Sequence, residues 1–500
     1  MLMVRAAYSV RVALPRLLWR KRMRRLHDTQ GLCPRCLRRL PAYYEEDDDG
    51  AVYLTRSCPE HGTFAAKIWP SRKEAPDIPG FESWRVDKTP SYPDAPETDV
   101  ADGCPYDCGL CPVHAQHTCH GLIELTMRCN LSCPLCYASS GQGELPADPP
   151  REVVRGELRR LLEKSGRCNV QLSGGEPTLR DDLPDIIREA KALGFPLVQV
   201  NSNGVRLGRE PHYAGMLADA GLDSVYLQWD SLREDHLESL RGTVIPGLRE
   251  IKEAALENCR RAGLGVVLVA TVVKGVNDGD LGELLRDAVA RGPVVRGLHV
   301  QPASFFGRTP WGLLGAERFT LGHVMQALAS QAPEWISGKD FHPPHCEHSL
   351  CSFSAVYART GDGLKSESGA GGGCGNRPRG PIEAAEGSRM TKAFIARQWA
   401  RPERETSCCG KPGTADAFSS FLTKRREERL FTLSGMAFQD ALSLDIERLR
   451  YCCIHIVRPD GRIIPFCAQN MTSTDGIPLY PGRLDVPGMK YGTPAGPGWL

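Results

Sequence analysis

Nine residues, Arg128-Cys129-Asn130-Leu131-Ser132-Cys133-Pro134-Leu135-Cys136, place three cysteines in one tight loop. Three residues separate the first pair and two the second, so three thiolates converge on one point. A structural metal site is normally closed by four protein ligands, whereas three on a four-iron cube leave one iron open for another molecule. Directly before the loop runs Leu122-Ile123-Glu124-Leu125-Thr126, an apolar stretch of strand length, which sets the cysteines at a strand end.

The same rhythm continues downstream. Apolar runs at 122–126, 170–172, 197–200, 224–228, 265–273 and 298–300 alternate with helical patterns such as 153–162, 183–193 and 248–262. Six such units predict an α/β fold, a parallel sheet with right-handed crossovers closed part of the way into a (β/α)6 barrel. Barrel chemistry sits at the carboxyl ends of the strands. Short polar groups stand at those ends here. Gly174-Gly175-Glu176-Pro177 follows the second strand, Asn201-Ser202-Asn203-Gly204 the third, Gln228-Trp229-Asp230 the fourth and Gln301 the sixth. Two glycines let the backbone approach a ligand closely, and Glu176 adds a carboxylate; a polar strand cap is the alternative for the later three.

The 500 residues exceed one ordinary core, so two to four domains are expected. A net charge of +2 gives no overall bias toward nucleic acid. The longest apolar run, 264–273, is about half of the roughly 20 residues a spanning helix needs, and none is expected. Twenty cysteines are many, and most fall in short-spaced clusters, which favours metal ligation in a reducing cytoplasm over a disulfide framework. Residues 1–27 carry eight Arg or Lys and no Asp or Glu, interleaved with apolar side chains. That segment reads either as a peripheral arm on the inner face of a membrane or as a solvated tail, and a targeting peptide is a third reading.

Taken in order, the chain divides into a basic segment at 1–30, a small metal-binding unit at 31–75, a linker and second cysteine group at 76–118, the barrel at 119–310 and a C-terminal cluster-binding unit at 311–500. Cys33, Cys36, Cys58 and His61 sit on two knuckles able to close a site for one zinc or iron. Cys104, Cys108 and Cys111 repeat the spacing of the opening loop with no strand before them, which suits an auxiliary site with His114 and His117 in support. Cys346, Cys351, Cys453 and Cys467, with Cys452 as a competitor, are the expected ligands of a further cluster. A Gly- and Ser-rich stretch near 360–425 predicts a flexible insertion, with Cys374, Cys408 and Cys409 as free thiols. Cys119, Cys168 and Cys259 read as buried apolar residues.

The cysteine triplet followed some forty residues later by Gly174-Gly175-Glu176-Pro177 resembles the signature of the radical SAM enzymes. The order of the Cys-Pro-Xaa-Cys knuckle, Cys58-Pro59-Glu60-His61-Gly62, Cys104 to Cys111, Gln301 to Gly307, the Cys452-Cys453 pair and Cys467 is similar to the tetraether lipid synthase and dihydropterin dimethyltransferase group. The resemblance implies one SAM-binding 4Fe-4S cluster on Cys129, Cys133 and Cys136, one or two auxiliary clusters, and one mononuclear Fe or Zn. It implies that S-adenosylmethionine lies among Tyr137, Gly174, Gly175, Glu176, Pro177, Asn201, Asn203, Gln228, Asp230 and Gln301. The implied reaction is reductive cleavage to a 5′-deoxyadenosyl radical, fed by ferredoxin or flavodoxin, that takes hydrogen from an unactivated carbon. A lipid hydrocarbon chain undergoing C–C bond formation is the first expectation for the substrate, and methyl transfer to a pterin-like small molecule the second. A zinc scaffold that binds nucleic acid is the competing class; it predicts a basic face within the folded domains, yet positive charge gathers in the tail.

Overall fold

The computed structural model describes residues 22–143, 145–310, 318–367, 382–399 and 430–485. Four antiparallel strands open it: β1 (Met23–Leu32), β2 (Arg39–Asp47), β3 (Val52–Cys58) and β4 (Gly62–Trp69). β1 takes in residues 23–30, which correct the expected boundary at residue 30: Arg24 is a strand residue whose guanidinium pairs with Glu46 across the ladder. The rest of the basic segment, 1–21, lies outside the described residues.

The ribbon does not stand alone. Tyr44, Val52, Leu54 and Trp69 join the same apolar core as Phe81, Trp84 and the barrel strands. The guanidinium of Arg56, 1% exposed, donates to the carbonyls of Leu32, Ala441 and Leu442, stitching the ribbon to the C-terminal part. The Pro-rich linker is thus packed, and it carries the short strand β5 (Lys88–Thr89).

Six parallel strands follow: β6 (His120–Glu124), β7 (Asn169–Ser173), β8 (Val198–Ser202), β9 (Ser224–Gln228), β10 (Gly265–Val272) and β11 (Val295–Pro302). Helices Arg151–Ser165, Leu183–Ala192, Leu248–Arg261 and Leu281–Ala290 cover their outer face. In the second of these, Leu183, Ile186, Ile187 and Ala190 recur at helical spacing and are fully buried, the stripe that packs on the sheet. Along β10, Val266, Leu268, Ala270 and Val272 enter the core beneath the helices, while Val269 and Thr271 face the barrel interior.

The C-terminal part extends this sheet at both edges. It adds β12 (Ser352–Thr360), β13 (Gly363–Ser366), β14 (Ile382–Glu383), β15 (Leu430–Met436), β16 (Ile454–Val457) and β17 (Ile463–Pro465). β15 lies parallel to β11 and carries β12 and β13; β16 lies parallel to β6 and carries β17; β14 pairs with β5. The result is an eleven-stranded sheet curved around a cavity. The expected insertion is not all irregular, since Ala384–Trp399 is a helix whose Trp399 packs on Tyr226. Cys374, Cys408 and Cys409 lie outside the described residues. Among the described residues no helix is long and apolar enough to cross a membrane.

Candidate active site and cysteine centres

The cysteine loop begins five residues past the end of β6, and a segment far away in sequence locks it. Cys136 exchanges two backbone hydrogen bonds with Arg308, at 2.9 and 3.0 Å. The Arg308 guanidinium donates to the carbonyls of Cys133 at 2.8 Å and Ser140 at 3.1 Å. Behind the loop, Gly175 N–H donates to Thr126 O at 2.7 Å and Glu176 N–H to Arg128 O at 2.9 Å. A methyl group on Gly174, whose φ is +130°, would lie 2.4 Å from Thr126 O, and one on Gly175 2.3 Å from Arg128 O, so both positions require glycine.

Glu176 lines the barrel cavity, and its carboxylate is largely engaged within the protein. It accepts from Thr178 Oγ1 at 2.6 Å, Ser202 Oγ at 2.8 Å and the Asn203 N–H at 2.7 Å. Burial pushes its carboxyl up, and those donors offset the cost of charge there. The Asn203 amide donates in turn to Asn130 Oδ1 at 2.7 Å, joining the third strand end to the cysteine loop. Asp230, by contrast, departs from the expected lining. It is fully buried and forms a two-pronged ion pair with Arg241, at 2.7 and 2.5 Å, while also accepting from Thr271 N–H. Arg241, rather than Asp230, lines the cavity, and its charge opposes the rise that burial imposes on the Cys133 thiol. Lys252 lies behind, donating to the carbonyls of Asn203 at 3.0 Å and Gln228 at 2.7 Å, its ammonium pushed down to about 8 by burial.

The remaining predicted residues come together. Tyr137, Gly174, Gly175, Asn201, Asn203, Gln228 and Gln301 line one cavity with Cys129, Cys133 and Cys136. Tyr137 Oη lies 3.1 Å from Ser173 Oγ. Pro177 lies outside that lining, opening the short helix Pro177–Leu179. In the ribbon, the ligand atoms of Cys33, Cys36, Cys58 and His61 all lie within 4.8 Å of one another, with His61 Nδ1 3.5 Å from Cys33 Sγ and 3.4 Å from Cys58 Sγ. A tetrahedral ion suits that donor set.

Comparison with known proteins agrees with this geometry. The model of the radical SAM superfamily matches residues 123–288, and that of the HMPTM N-terminal zinc ribbon domain matches residues 25–70. A 7,8-dihydro-6-hydroxymethylpterin dimethyltransferase of Methanocaldococcus jannaschii is 31% identical over 88% of this chain and 93% of its own length. The chain belongs to the radical SAM superfamily. Partial relatives within it include a "Probable GTP 3',8-cyclase" of Thermococcus kodakarensis, 33% identical over 35% of this chain and 54% of that protein. A "Pre-heme d1 synthase" of Dinoroseobacter shibae is 36% identical over 33% of this chain and 38% of that protein.

Membership in the radical SAM superfamily implies a 4Fe-4S cluster and S-adenosylmethionine, and the loop fits them. Burial pushes the Cys129 thiol up to about 12, so its thiolate needs metal charge beside it, and soft sulfur donors on an open-sided loop suit iron–sulfur chemistry. A second radical SAM loop at Cys104, Cys108 and Cys111 gains no support. Those thiols line a separate small cavity with Arg450 and Pro465, within a loop that Asp107 organises by accepting three backbone N–H groups. His114 adjoins that cavity and lies 3.1 Å from His455, whereas His117 bonds Ser91.

The expected C-terminal ligand set is regrouped. Cys346 and Cys453 gather with Cys119, their sulfurs within 4.8 Å, because β16 pairs with β6 and Cys119 N–H donates to Cys453 O at 2.8 Å. Cys119 is therefore no mere core residue. It makes a sulfur–sulfur link to Cys346, yet their Cα atoms stand 7.6 Å apart, beyond the usual disulfide span and better suited to sulfurs that share a larger group. Cys351, Cys452 and Cys467 stand outside the trio; Cys351 faces Arg448 at 3.6 Å and Cys467 accepts from Gln439 N–H. Cys168 and Cys259 are core residues, fully buried. The cavity, about 1580 Å³, reaches from the radical SAM loop to Cys119 and Cys453, and since Cys119 precedes β6 and Cys129 follows it, the two cysteine groups adjoin opposite ends of that strand.

Proposed function

We propose that this radical SAM protein is a methyltransferase acting on a pterin-like small molecule. The observation that carries the reading is the match to the dihydropterin dimethyltransferase over 93% of that protein, ribbon and C-terminal part included. In this reading Cys129, Cys133 and Cys136 hold the 4Fe-4S cluster. S-adenosylmethionine lies among Tyr137, Gly174, Gly175, Asn201, Asn203, Gln228, Arg241 and Gln301. A 4Fe-4S cluster held by these thiolates would supply one-electron reductive cleavage of S-adenosylmethionine, with the electron drawn from a donor such as ferredoxin or flavodoxin. Arg241, fixed by Asp230, presents positive charge beside the cluster loop to the methionine carboxylate. Glu176 braces the second and third strand ends, and Arg308 keeps the loop from opening. Cys119, Cys346 and Cys453 hold an auxiliary cluster across the cavity, Cys104, Cys108 and Cys111 a second, and Cys33, Cys36, Cys58 and His61 one zinc or iron.

The expectation of a lipid substrate finds no support beyond the basic N-terminal segment. The test is direct: reduced, reconstituted protein is given S-adenosylmethionine with a dihydropterin and a lipid extract, and both are followed by mass spectrometry. The pterin is expected to gain one or two methyl groups while the lipids stay unchanged. Coupled lipid chains with unaltered pterin would reverse the assignment.

A further inference from the structure

Deeper in the barrel than the strand-end residues lies a ring of polar side chains that the reaction has not used. Gln171 on β7, Tyr226 on β9 and His299 on β11 all line the cavity. Gln171, Tyr226 and His299 each precede by two residues a strand-end residue, Ser173, Gln228 and Gln301. At the rise of an extended strand that sets them roughly 6–7 Å below the strand-end layer. Leu122, paired with Gln171, and Val269, paired with His299, supply apolar wall at the same depth.

Two of them have hydrogen-bonding capacity left over. Gln171 Nε2 donates to Gln199 Oε1 at 3.0 Å, which leaves the Gln171 carbonyl over. His299 Nδ1 meets Ser434 Oγ at 2.8 Å, which leaves Nε2 over. The Tyr226 ring packs on His299 at 5.5 Å and on Trp399 at 6.1 Å between centroids. Burial pushes His299 down to about 3 and raises the Tyr226 phenol, so both are uncharged near neutral pH. A neutral imidazole, a primary amide and a phenol each donate or accept. The cations that line the cavity, Arg241, Arg389 and Arg397, stand on helices rather than on these strands, and a hydrocarbon would leave all three tips unpaired.

We propose that this ring recognises the neutral hydrogen-bonding edge of a planar, nitrogen-rich heterocycle of the aminopyrimidinone type, with Leu122 and Val269 against its faces. The proposal rests on the pterin-like reading above and names the groups that select the substrate. Such an edge alternates N–H, carbonyl and ring nitrogen, the complement of an uncharged ring that offers both donors and acceptors. The three residues act in binding and orientation, setting the ring beneath the layer of strand-end residues.

The test uses the reconstituted holoenzyme with S-adenosylmethionine, kept anaerobic and unreduced. Fluorescence titration with 6-hydroxymethylpterin is compared for wild type, Tyr226→Phe and His299→Gln, with guanosine as a second probe. Tyr226→Phe removes one hydroxyl without changing shape and is expected to weaken pterin binding about 3- to 10-fold, the worth of one hydrogen bond. His299→Gln keeps a donor and acceptor at altered reach and serves as an independent variant should the first fail to fold. S-adenosylmethionine affinity, measured by equilibrium dialysis, is expected to stay at the wild-type value in both. Pterin binding that neither variant weakens would overturn the ring while leaving the pterin reading intact. Binding of guanosine but not pterin, weakened by Tyr226→Phe, would sink the pterin reading and support the ring. Binding of neither probe would overturn the ring.

Discussion

Asp230→Asn is the perturbation that most sharply separates positioning from binding. Asp230 is 0% exposed and Arg241 8% exposed, and two hydrogen bonds of 2.7 and 2.5 Å join them. Asparagine keeps the shape but removes the charge, and its amide presents N–H to a guanidinium that already carries only donors. Arg241 is then left buried and uncompensated, a change that costs about 3–5 kcal/mol in comparable buried pairs. Against a total stability of order 5–15 kcal/mol, that is a large share. Anaerobic thermal melts are expected to fall by about 6 °C or more. The double variant Asp230→Asn/Arg241→Met, which removes both partners, is expected to recover at least half of the loss, because no orphaned charge remains. S-adenosylmethionine binding is expected to weaken in both the single and double variants, since neither presents an oriented guanidinium. A single variant as stable as wild type would refute the buried-pair argument, and a double variant with wild-type affinity would remove Arg241 from the cofactor site.

Two further outcomes follow from geometry already described. Gly175→Ala places a methyl group 2.3 Å from Arg128 O and is expected to lower iron content by about four per chain and abolish 5′-deoxyadenosine formation; full iron loading would show that the close approach is not needed. Glu74 accepts from Lys67 Nζ at 2.7 Å and Ser71 N–H at 2.8 Å and lies 3.7 Å from His323 Nε2, linking the ribbon to the helix Leu321–Gln331. His323 and Lys67 hold its carboxyl well below the usual carboxylate range, so its contribution is present above the unfolded value and lost as pH falls toward the folded one. Wild-type melting temperature is expected to decline below about pH 4, and Glu74→Gln to flatten that decline; an unchanged acid slope in the variant would remove Glu74 from the account.

The barrel was legible because its signals are local. A strand, a three-cysteine loop and a glycine turn follow one another within about fifty-five residues, and hydrophobic periodicity marks each parallel strand. What escaped sequence reading depends on partners far apart in the chain. Asp230 sits at a strand end as a ligand would, and only the return of the helix Glu234–Arg241 shows that it serves Arg241. Arg308 carries no spacing that ties it to Cys136. Cys119 looked isolated because its neighbours in space, Cys346 and Cys453, are brought by strands that join the sheet after the barrel is made. The helix Ala384–Trp399 was hidden by the glycine-rich composition on its amino-terminal side.

The pairing of β16 with β6 has a consequence for how the protein matures. The loop at 129–136 holds its three sulfurs within eight residues and can receive iron as soon as the strand before it is in place. The trio of Cys119, Cys346 and Cys453 exists only after a sequence separation of 227 residues between its first two members, and a further one to Cys453, has been closed. The loop's sulfurs are therefore brought together by local chain alone, whereas the trio waits for the C-terminal strand. A chain interrupted before residue 453 would keep the three cysteines of the loop while lacking one member of the trio and the part of the cavity wall that Cys453 and Ile454 supply.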